Sequence, residues 1–216
     1  MHGLDTGHLV TVRDGIQLHR DVVGPLAALT AAAAREGIAI RVCSGFRGFG
    51  QQLAIWNGKA TGRRALFDSA GRPIDARTLQ PDALIDAILC WSALPGASRH
   101  HWGTDLDLFD AAAVAPGYEP ELTTEEAGTR FGTMHGWLDA NMRGFGFYRP
   151  YAADLGGVAP EPWHLSYAPL ARRFLESMSV ESLRAAIEPA DMALKARVLE
   201  RLPELFERYA LRVAAS

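Results

Sequence analysis

The sequence predicts an α+β fold, in which a small antiparallel sheet is flanked by helices and followed by a helical C-terminal extension. Two observations support this prediction: the segments with strand-like alternation are few and short, and the last part of the chain has a helical pattern throughout. A chain of 216 residues is long enough for one domain with a hydrophobic core. We expect a single domain over residues 1–216, with its core at about 19–168 and C-terminal helices at 169–216.

The first part of the chain predicts two helices and a strand around a Gly-rich loop, and then a third helix. Residues 38–43 (IAIRVC) place Ile, Ile and Val on one face, which is typical of a half-buried strand. In chain order we expect an irregular segment at 1–18, a helix at 19–36 that ends near Gly37, the strand at 38–43, the Gly-rich loop at 44–50, a helix at 51–60, a surface loop at 60–80, and a helix from Pro81 to Leu94 that Pro95 and Gly96 end.

The second part of the chain predicts one clear strand and several helices. Residues 104–109 alternate between polar and apolar, which predicts a strand with Asp105 and Asp107 on one face. After this strand we expect a loop at 111–122, a long helix from Thr124 to about Met142, a short strand at 145–148, a segment interrupted by Gly and Pro at 156–160, and helices from Pro169 to Arg212.

Composition and charge exclude several functional classes. The net charge is −3 and shows no clustered basic face, so we expect neither DNA nor RNA as a partner. The chain has no run of about 18 apolar residues, so we expect no membrane span. Cys43 and Cys90 match neither a zinc ribbon nor a CxxC motif, and we interpret them as buried thiols rather than as a disulfide or a catalytic thiol.

Residues 98–107 (SRHHWGTDLD) contain the first two candidate metal ligands. His100 and Asp107 are seven residues apart, and Gly103 between them allows a turn. An imidazole and a carboxylate directed at one point are good zinc ligands. His101 is the alternative to His100, and an aspartate on the same strand face is the alternative to Asp107.

Residues 161–164 (EPWH) contain the remaining candidate groups. His164 is the candidate third ligand, which leaves a fourth position for water, as in catalytic rather than structural zinc sites. Pro162 favours an extended backbone at Glu161, and we expect Glu161 to take a proton from the water rather than to ligate. The chain has no HExxH, GxSxG or Walker motif, which excludes the commonest helical zinc-protease site, the hydrolase nucleophile elbow and the P-loop.

These segments together resemble the VanY-like peptidase family that includes the vancomycin-resistance D,D-carboxypeptidases and D,D-dipeptidases. The resemblance covers about residues 38–168, and its segments occur in the family's order. Residues 98–107 match the signature SxHxxGxxxD, and residues 161–164 match ExxH. Residues 44–47 (SGFR) match SGYRS, and Gln52 matches a glutamine common in the family. Residues 136–147 (GWLDANMRGFGF) match the helix and Gly-Phe turn before ExxH.

The resemblance implies a zinc metallopeptidase, similar to a D-alanyl-D-alanine carboxypeptidase, whose substrates are short peptides of the bacterial cell wall (peptidoglycan). The roles that it implies are binding of Zn²⁺ by His100, Asp107 and His164, general base catalysis by Glu161, oxyanion stabilisation by Arg47, and substrate binding by Ser98 and Gln52. Two alternatives stay open: a peptidoglycan endopeptidase, and a non-catalytic domain that binds zinc and a wall peptide. Mere binding would need neither the Glu nor the Arg, which argues against the second.

The chain departs from the family at two points. Asp105 stands where the family usually has a small residue, and it is interpreted as a partner of a ligand, an alternative ligand or a substrate contact. After EPWH the family often continues with an aromatic residue, Arg and Tyr, whereas this chain has Leu165, Ser166 and Tyr167. The loss of that Arg predicts a change in how one end of the peptide is recognised.

The segment 22–34 has the apolar character of a signal-peptide core. Asp5, Asp14 and Asp21 precede it, where a signal peptide would be basic, so we interpret it as a helix and expect no export signal. The sequence by itself therefore favours the cytoplasm, whereas a wall-peptide substrate favours the periplasm.

Overall fold

In the computed structural model, which describes residues 1–215, helices surround a small antiparallel sheet of four strands. The strands are β1 (Leu9–Thr11), β2 (Gln17–His19), β3 (Ile40–Ser44), β4 (Leu66–Phe67), β5 (Pro73–Ile74), β6 (Asp105–Asp110), β7 (Phe147–Tyr148) and β8 (His164–Tyr167). The helices are α1 (Arg20–Ala34), α2 (Phe49–Ala60), α3 (Pro81–Cys90), α4 (Thr124–Thr129), α5 (Gly132–Asn141), α6 (Ala168–Glu176), α7 (Val180–Ile187) and α8 (Lys195–Phe206). The predicted α+β class and the helical C-terminal extension are confirmed.

The central sheet has the strand order β3-β6-β8-β7, and each neighbouring pair is antiparallel. Asp107 of β6 is opposite His164 of β8 on one side and opposite Ser44 of β3 on the other. The register between β3 and β6 shifts between Val42 and Ser44, where β3 leads into the Gly-rich loop. Because directly opposed residues have neighbouring side chains, this register brings two of the predicted ligands together.

The C-terminal helices share an apolar core with α2 and α3. Trp56, Ile88 and Leu202 are among the fully buried members of this cluster, whereas the sheet, α1 and α5 form a second cluster. The indole N–H of Trp56 also donates a hydrogen bond to the carbonyl of Ala193 at 2.9 Å. The helices that follow the sheet therefore stabilise the two helices that lie between β3 and β6 in the chain.

The long helix predicted over residues 124–142 is wrong, because the structure has two helices, α4 and α5, with a break at Phe131. The Phe131 side chain is 3% exposed, and its ring contacts Phe109 and Tyr118. Burial of this aromatic ring stabilises the chain more than an unbroken helix would. Gly132, on the C-terminal side of the break, also has a low helix propensity.

The helix predicted from Pro81 to Leu94 ends earlier, at Cys90. Trp91 leaves the helical conformation, and its indole N–H donates a hydrogen bond to the carbonyl of Asp68 at 2.8 Å. This tertiary contact ends the helix before the Pro-Gly pair that was expected to end it.

Two short hairpins lie in segments that were predicted to be irregular. β1 pairs with β2, and β4 pairs with β5, in strands of only two or three residues. Strands of this length are too short to show a period of two in the sequence. Cys43 and Cys90 are free thiols, as expected, but both are only partly buried rather than fully buried. Among the described residues, no helix has the length and apolar character needed to cross a membrane.

Candidate metal centre and active site

The three predicted ligands lie together as one buried group. His100 belongs to a short 3₁₀ helix, Arg99–Trp102, while Asp107 and His164 come from adjacent strands. One nitrogen or oxygen atom from each of the three side chains lies within 4.8 Å of the others. The Oδ2 atom of Asp107 is 3.3 Å from Nε2 of His100, and its Oδ1 atom is 3.2 Å from Nδ1 of His164. The structure therefore brings all three together.

Hydrogen bonds on the far side of each imidazole turn one nitrogen toward the centre of the group. The Nδ1 atom of His100 is 2.8 Å from the carbonyl oxygen of Gly45, which can only accept, so Nδ1 carries the proton and Nε2 is free. The Nε2 atom of His164 is 3.0 Å from Oδ1 of Asp105, which leaves Nδ1 facing the group. Partners of this kind fix the tautomer and orientation of metal-binding histidines.

The charges of the group fit a bound cation. The Oδ1 atom of Asp107 is buried, and no described residue forms a hydrogen bond with it, since its approach to His164 lacks hydrogen-bond geometry. Burial alone would lower the pKa of His164, but the carboxylates of Asp105 and Asp107 outweigh burial and raise this pKa to about 10. A site that holds a proton so strongly has a surplus of negative charge. Two imidazoles and one carboxylate with room for a fourth ligand are suited to zinc.

Asp105 is a partner of a ligand and not a ligand itself. It is fully buried, and its Oδ1 atom accepts hydrogen bonds from Nε of Arg99 at 2.7 Å and from His164. Its Oδ2 atom accepts from Thr104 at 2.7 Å and from Ser166 at 3.1 Å. With both oxygens occupied by protein donors, Asp105 orients His164 from the side away from the metal group.

The two departures from the family pattern meet in this network. Asp105 and Ser166 are opposite each other in the register of β6 and β8. Nη2 of Arg99 donates hydrogen bonds to the hydroxyl of Ser166 at 2.7 Å and to the hydroxyl of Tyr148 at 2.9 Å. A guanidinium from residue 99 therefore reaches the strand position where the family often has its own Arg.

His101, the alternative to His100 as a ligand, is occupied elsewhere. Its Nδ1 atom is 2.5 Å from the carbonyl oxygen of Arg47, and its Nε2 atom accepts a hydrogen bond from the backbone N–H of Gly96 at 3.0 Å. Burial lowers the pKa of His101 to about 3, so the ring is neutral. His101 therefore supports the loop that carries Arg47.

Glu161 lies beside the metal group without belonging to it. Its Oε2 atom is 3.4 Å from Nδ1 of His164, the nitrogen that faces the group. Burial raises the pKa of Glu161 to about 7, an effect that the positive charges of His164, Arg47 and Lys59 only partly offset. A buried carboxylate with a pKa near neutrality, beside a group that could hold a metal, has the properties of a general base.

Arg47 is held in place by hydrogen bonds from its guanidinium. Nη1 donates to Oε1 of Gln52 at 2.9 Å, and Nη2 donates to the hydroxyl of Ser44 at 3.3 Å. Gln52 is fully buried, and its amide N–H groups donate to Ser92 at 3.0 Å and to the carbonyl of Ala93 at 2.8 Å. The structure thus places Gln52 behind Arg47, where it fixes the guanidinium, rather than at the surface of the cleft.

The metal group opens into a cleft of about 780 Å³. Arg47, Ser98 and Glu161 line this cleft together with the three ligands, and Trp163 and Lys59 also line it. A cavity of this size holds a short peptide.

Comparison with known proteins identifies the family. The sequence profile described as "VanY: D-alanyl-D-alanine carboxypeptidase" matches residues 15–170, which is well over half of the chain. The chain belongs to this family. It is accordingly a peptidase of the D-alanyl-D-alanine carboxypeptidase family, and its buried His–Asp–His group fits a zinc ion.

Two curated relatives are similar in sequence to this family member. An uncharacterized protein of Haemophilus influenzae is 32% identical over 120 residues, which cover 54% of this chain and 92% of the relative. A D-alanyl-D-alanine carboxypeptidase of Enterococcus faecalis is 30% identical over 140 residues, which cover 63% of this chain but only 42% of the relative.

Two solved structures share the fold of this D-alanyl-D-alanine carboxypeptidase family member. A mutant of the vancomycin-resistance D,D-pentapeptidase VanY in complex with Zn(II) is 24% identical with a TM-score of 0.55, and the match covers 88% of each chain. The LdcB LD-carboxypeptidase is 20% identical with a TM-score of 0.56, over 96% of this chain and 81% of the other.

Three residues at the site of this peptidase were not anticipated from the sequence. Arg99 falls on an open position of the SxHxxGxxxD signature, so the motif gave it no role. Tyr151, whose ring lies 5.1 Å from that of His164, is separated from every motif. Lys59 was visible only as a basic residue in the last turn of the helix after the Gly-rich loop. Each depends on a tertiary contact that spacing in the sequence does not reveal.

Gly103 joins the 3₁₀ helix to β6, and substitution of Gly103 by Ala is expected to destabilise the protein. Its φ is +69°, and a Cβ there would lie 2.7 Å from the backbone nitrogen of His19. Gly37→Ala is the matched control, because Gly37 has a φ of +79° with nothing within 4 Å of its Cβ position. Denaturant unfolding should show Gly103→Ala to be less stable than Gly37→Ala by about 1–3 kcal/mol, the usual cost of overpacking. Equal losses of stability in the two variants would mean that the backbone at His19 shifts at little cost to make room for the new Cβ.

Proposed function

We propose that this chain is a zinc-dependent carboxypeptidase that removes the terminal D-alanine from short bacterial cell-wall peptides. The observation that carries the proposal is the buried group of His100, Asp107 and His164, with the Glu161 carboxylate 3.4 Å from Nδ1 of His164. Family membership supports the reaction, and the Enterococcus faecalis relative is itself called a D-alanyl-D-alanine carboxypeptidase. A solved structure of similar fold is described as bound to D-alanine-D-alanine, which supports the substrate class.

The proposed mechanism assigns the metal to three side chains and the proton transfers to a fourth. His100, Asp107 and His164 would hold zinc, which supplies Lewis acidity and lowers the pKa of water. Glu161 accepts a proton from the water that attacks the scissile carbonyl carbon. The same carboxyl group then donates this proton to the nitrogen of the departing D-alanine, so that the amide C–N bond breaks and Glu161 returns to its charged state.

Arg47 is assigned to the oxygen of the scissile carbonyl. This oxygen gains negative charge as water adds to the carbon, and a fixed N–H donor at that point stabilises the transition state. Arg47 stays charged at any physiological pH, and its hydrogen bonds to Gln52 and Ser44 hold it without neutralising it. Gln52 is therefore a positioning residue in this mechanism, whereas Ser98, which lines the cleft, is assigned to the peptide.

The proposal is tested by removal and return of the metal. Purified protein is assayed for zinc by mass spectrometry and for D-alanine release from a wall pentapeptide, before and after treatment with a chelator. We expect zinc in an equimolar amount, loss of D-alanine release on chelation, and recovery when zinc is added back. A near-UV circular dichroism spectrum controls for unfolding of the metal-free protein. Zinc binding with cleavage inside the peptide but no D-alanine release would favour the endopeptidase, and binding with no cleavage at all would contradict the proposal.

A further inference from the structure

Lys59 is a cation in the cleft without a carboxylate partner. It is the penultimate residue of α2, it is half-buried, and it lines the same cavity as Arg47 and Glu161. Its Nζ atom donates one long hydrogen bond, of 3.4 Å, to the carbonyl of Trp91, and it forms no ion pair within residues 1–215. An ammonium group has three donors, so most of its capacity is free for a ligand. Burial of this unpaired charge lowers the pKa of Lys59 to about 8.

The side of the cleft around Lys59 is bounded by the hairpin of β4 and β5. Trp91, which accepts the hydrogen bond from Lys59, donates its indole N–H to Asp68 in the turn of this hairpin. Phe67 and Gly71 of the same hairpin line the cavity. A peptide that enters this side of the cleft therefore meets the hairpin close to the ammonium group.

The other two Arg or Lys side chains that line the cavity are already occupied. Arg47, which Gln52 and Ser44 hold next to the metal group, is assigned to the oxygen of the scissile carbonyl. Arg99 is only 3% exposed, and the carboxylate of Asp105 neutralises its charge. Lys59 is therefore the cleft-lining cation, among the described residues, that remains available to a negatively charged group of a substrate.

We propose that Lys59 binds the C-terminal carboxylate of the substrate peptide and thereby makes the enzyme select free chain ends. This assignment rests on the proposed carboxypeptidase function and adds a specificity-determining residue to it. A carboxylate is the group that a terminal residue has and an internal residue lacks, so a cation at this position distinguishes removal of one residue from cleavage within a chain.

The test compares two substrates that differ only at the chain end: a peptide ending in D-alanine with a free carboxylate, and the same peptide with a C-terminal amide. Wild-type zinc enzyme is expected to prefer the free acid in kcat/KM. Lys59→Met keeps the aliphatic stem and removes the charge, and we expect a loss of about 10- to 100-fold on the free acid, the usual size of a charge-assisted hydrogen bond, with little change on the amide. The preference for the free acid should therefore disappear.

Arg63→Met is the matched control, since it removes an exposed positive charge four residues away, outside the cleft. Arg63→Met should keep the wild-type ratio of the two kcat/KM values. Lys59→Arg, which keeps a positive charge, should retain much of the preference for the free acid that Lys59→Met loses. An unchanged ratio in Lys59→Met, with zinc content and melting temperature equal to wild type, would overturn the role of Lys59. If the wild-type zinc enzyme cleaves neither peptide, the proposed function itself has failed, which is a different result.

The pH dependence of the same ratio gives a second readout. The charged or titratable groups close enough to influence the pKa of Lys59 are Glu161, Arg47, Arg64 and Cys90. Because kcat/KM reports the free enzyme, the ratio of free acid to amide should fall as the pH rises through about 8, where the ammonium loses its charge. Effects of pH on Glu161 and on water act on both substrates and cancel in the ratio. Lys59→Arg should show no such fall, since guanidinium stays charged; a flat ratio in wild type would contradict the assignment.

Discussion

Glu161→Gln is expected to lower kcat for D-alanine release by about 10²- to 10⁴-fold, the usual contribution of a general acid–base group. Glutamine has nearly the same shape as glutamate but cannot accept a proton from water or pass one to the departing amine. The Glu161 carboxylate is close to the metal group but does not belong to the three ligands, so the zinc content should stay at the wild-type value. Single-turnover kinetics together with metal analysis would measure both quantities.

Glu176→Gln controls for this substitution, because Glu176 ends α6 on the exposed surface and the chemical change is the same. Its kcat should equal that of wild type. A Glu161→Gln variant with normal zinc content and a kcat within tenfold of wild type would exclude Glu161 as the base. A variant that loses zinc as well as activity would instead show Glu161 to be a ligand.

Asp105→Asn is expected to have the largest effect on stability. The substitution leaves the buried guanidinium of Arg99 without its counter-ion, and removal of one partner from a buried ion pair costs about 3–5 kcal/mol. In a protein of this size that loss lowers the melting temperature by roughly 6–20 °C. The amide also holds His164 less firmly, so zinc affinity should fall by about 10- to 100-fold, as is usual when the partner of a metal-binding histidine is removed.

Two measurements separate these effects: denaturant unfolding of the metal-free protein, and competition for zinc with a chelator of known affinity. Asp14→Asn is the control, because Asp14 pairs with Arg41 at the surface and its φ of +60° is tolerated by Asn. It should change neither stability nor zinc affinity. Wild-type stability of metal-free Asp105→Asn would mean that Arg99 finds another partner, and weaker zinc binding alone would then confine the role of Asp105 to orienting His164.

The sequence was sufficient to predict the α+β class and the residues that meet at the site. His100, Asp107, His164, Glu161 and Arg47 lie in short motifs whose residue types already determine their chemistry, and the structure brings them to one cleft. The strand of Asp107 was visible because six residues are enough to show alternation. The roles of these side chains in catalysis stay predictions until the variants are measured.

What the sequence could not predict depends on contacts between distant segments. The break at Phe131 and the early end of α3 at Cys90 follow from burial of a ring and from an indole hydrogen bond, and neither has a local signal. For Gln52, a match to the family suggested a substrate contact, whereas its partners in the structure show that it holds Arg47. Lys59 has significance only because the fold turns it into the cleft.

The network of Arg99, Asp105 and Ser166 has a consequence for the comparison of homologous sequences. In this chain a negative charge on β6, a hydroxyl on β8 and a guanidinium from the 3₁₀ helix before β6 depend on one another. Replacing Asp105 or Ser166 with the residue usual in the family would leave Arg99 with an unmatched charge or an overfilled space, so we expect the effects of such substitutions not to be additive. We therefore expect the three positions to behave as a single epistatic unit, in which a substitution at one is tolerated only when the others change with it.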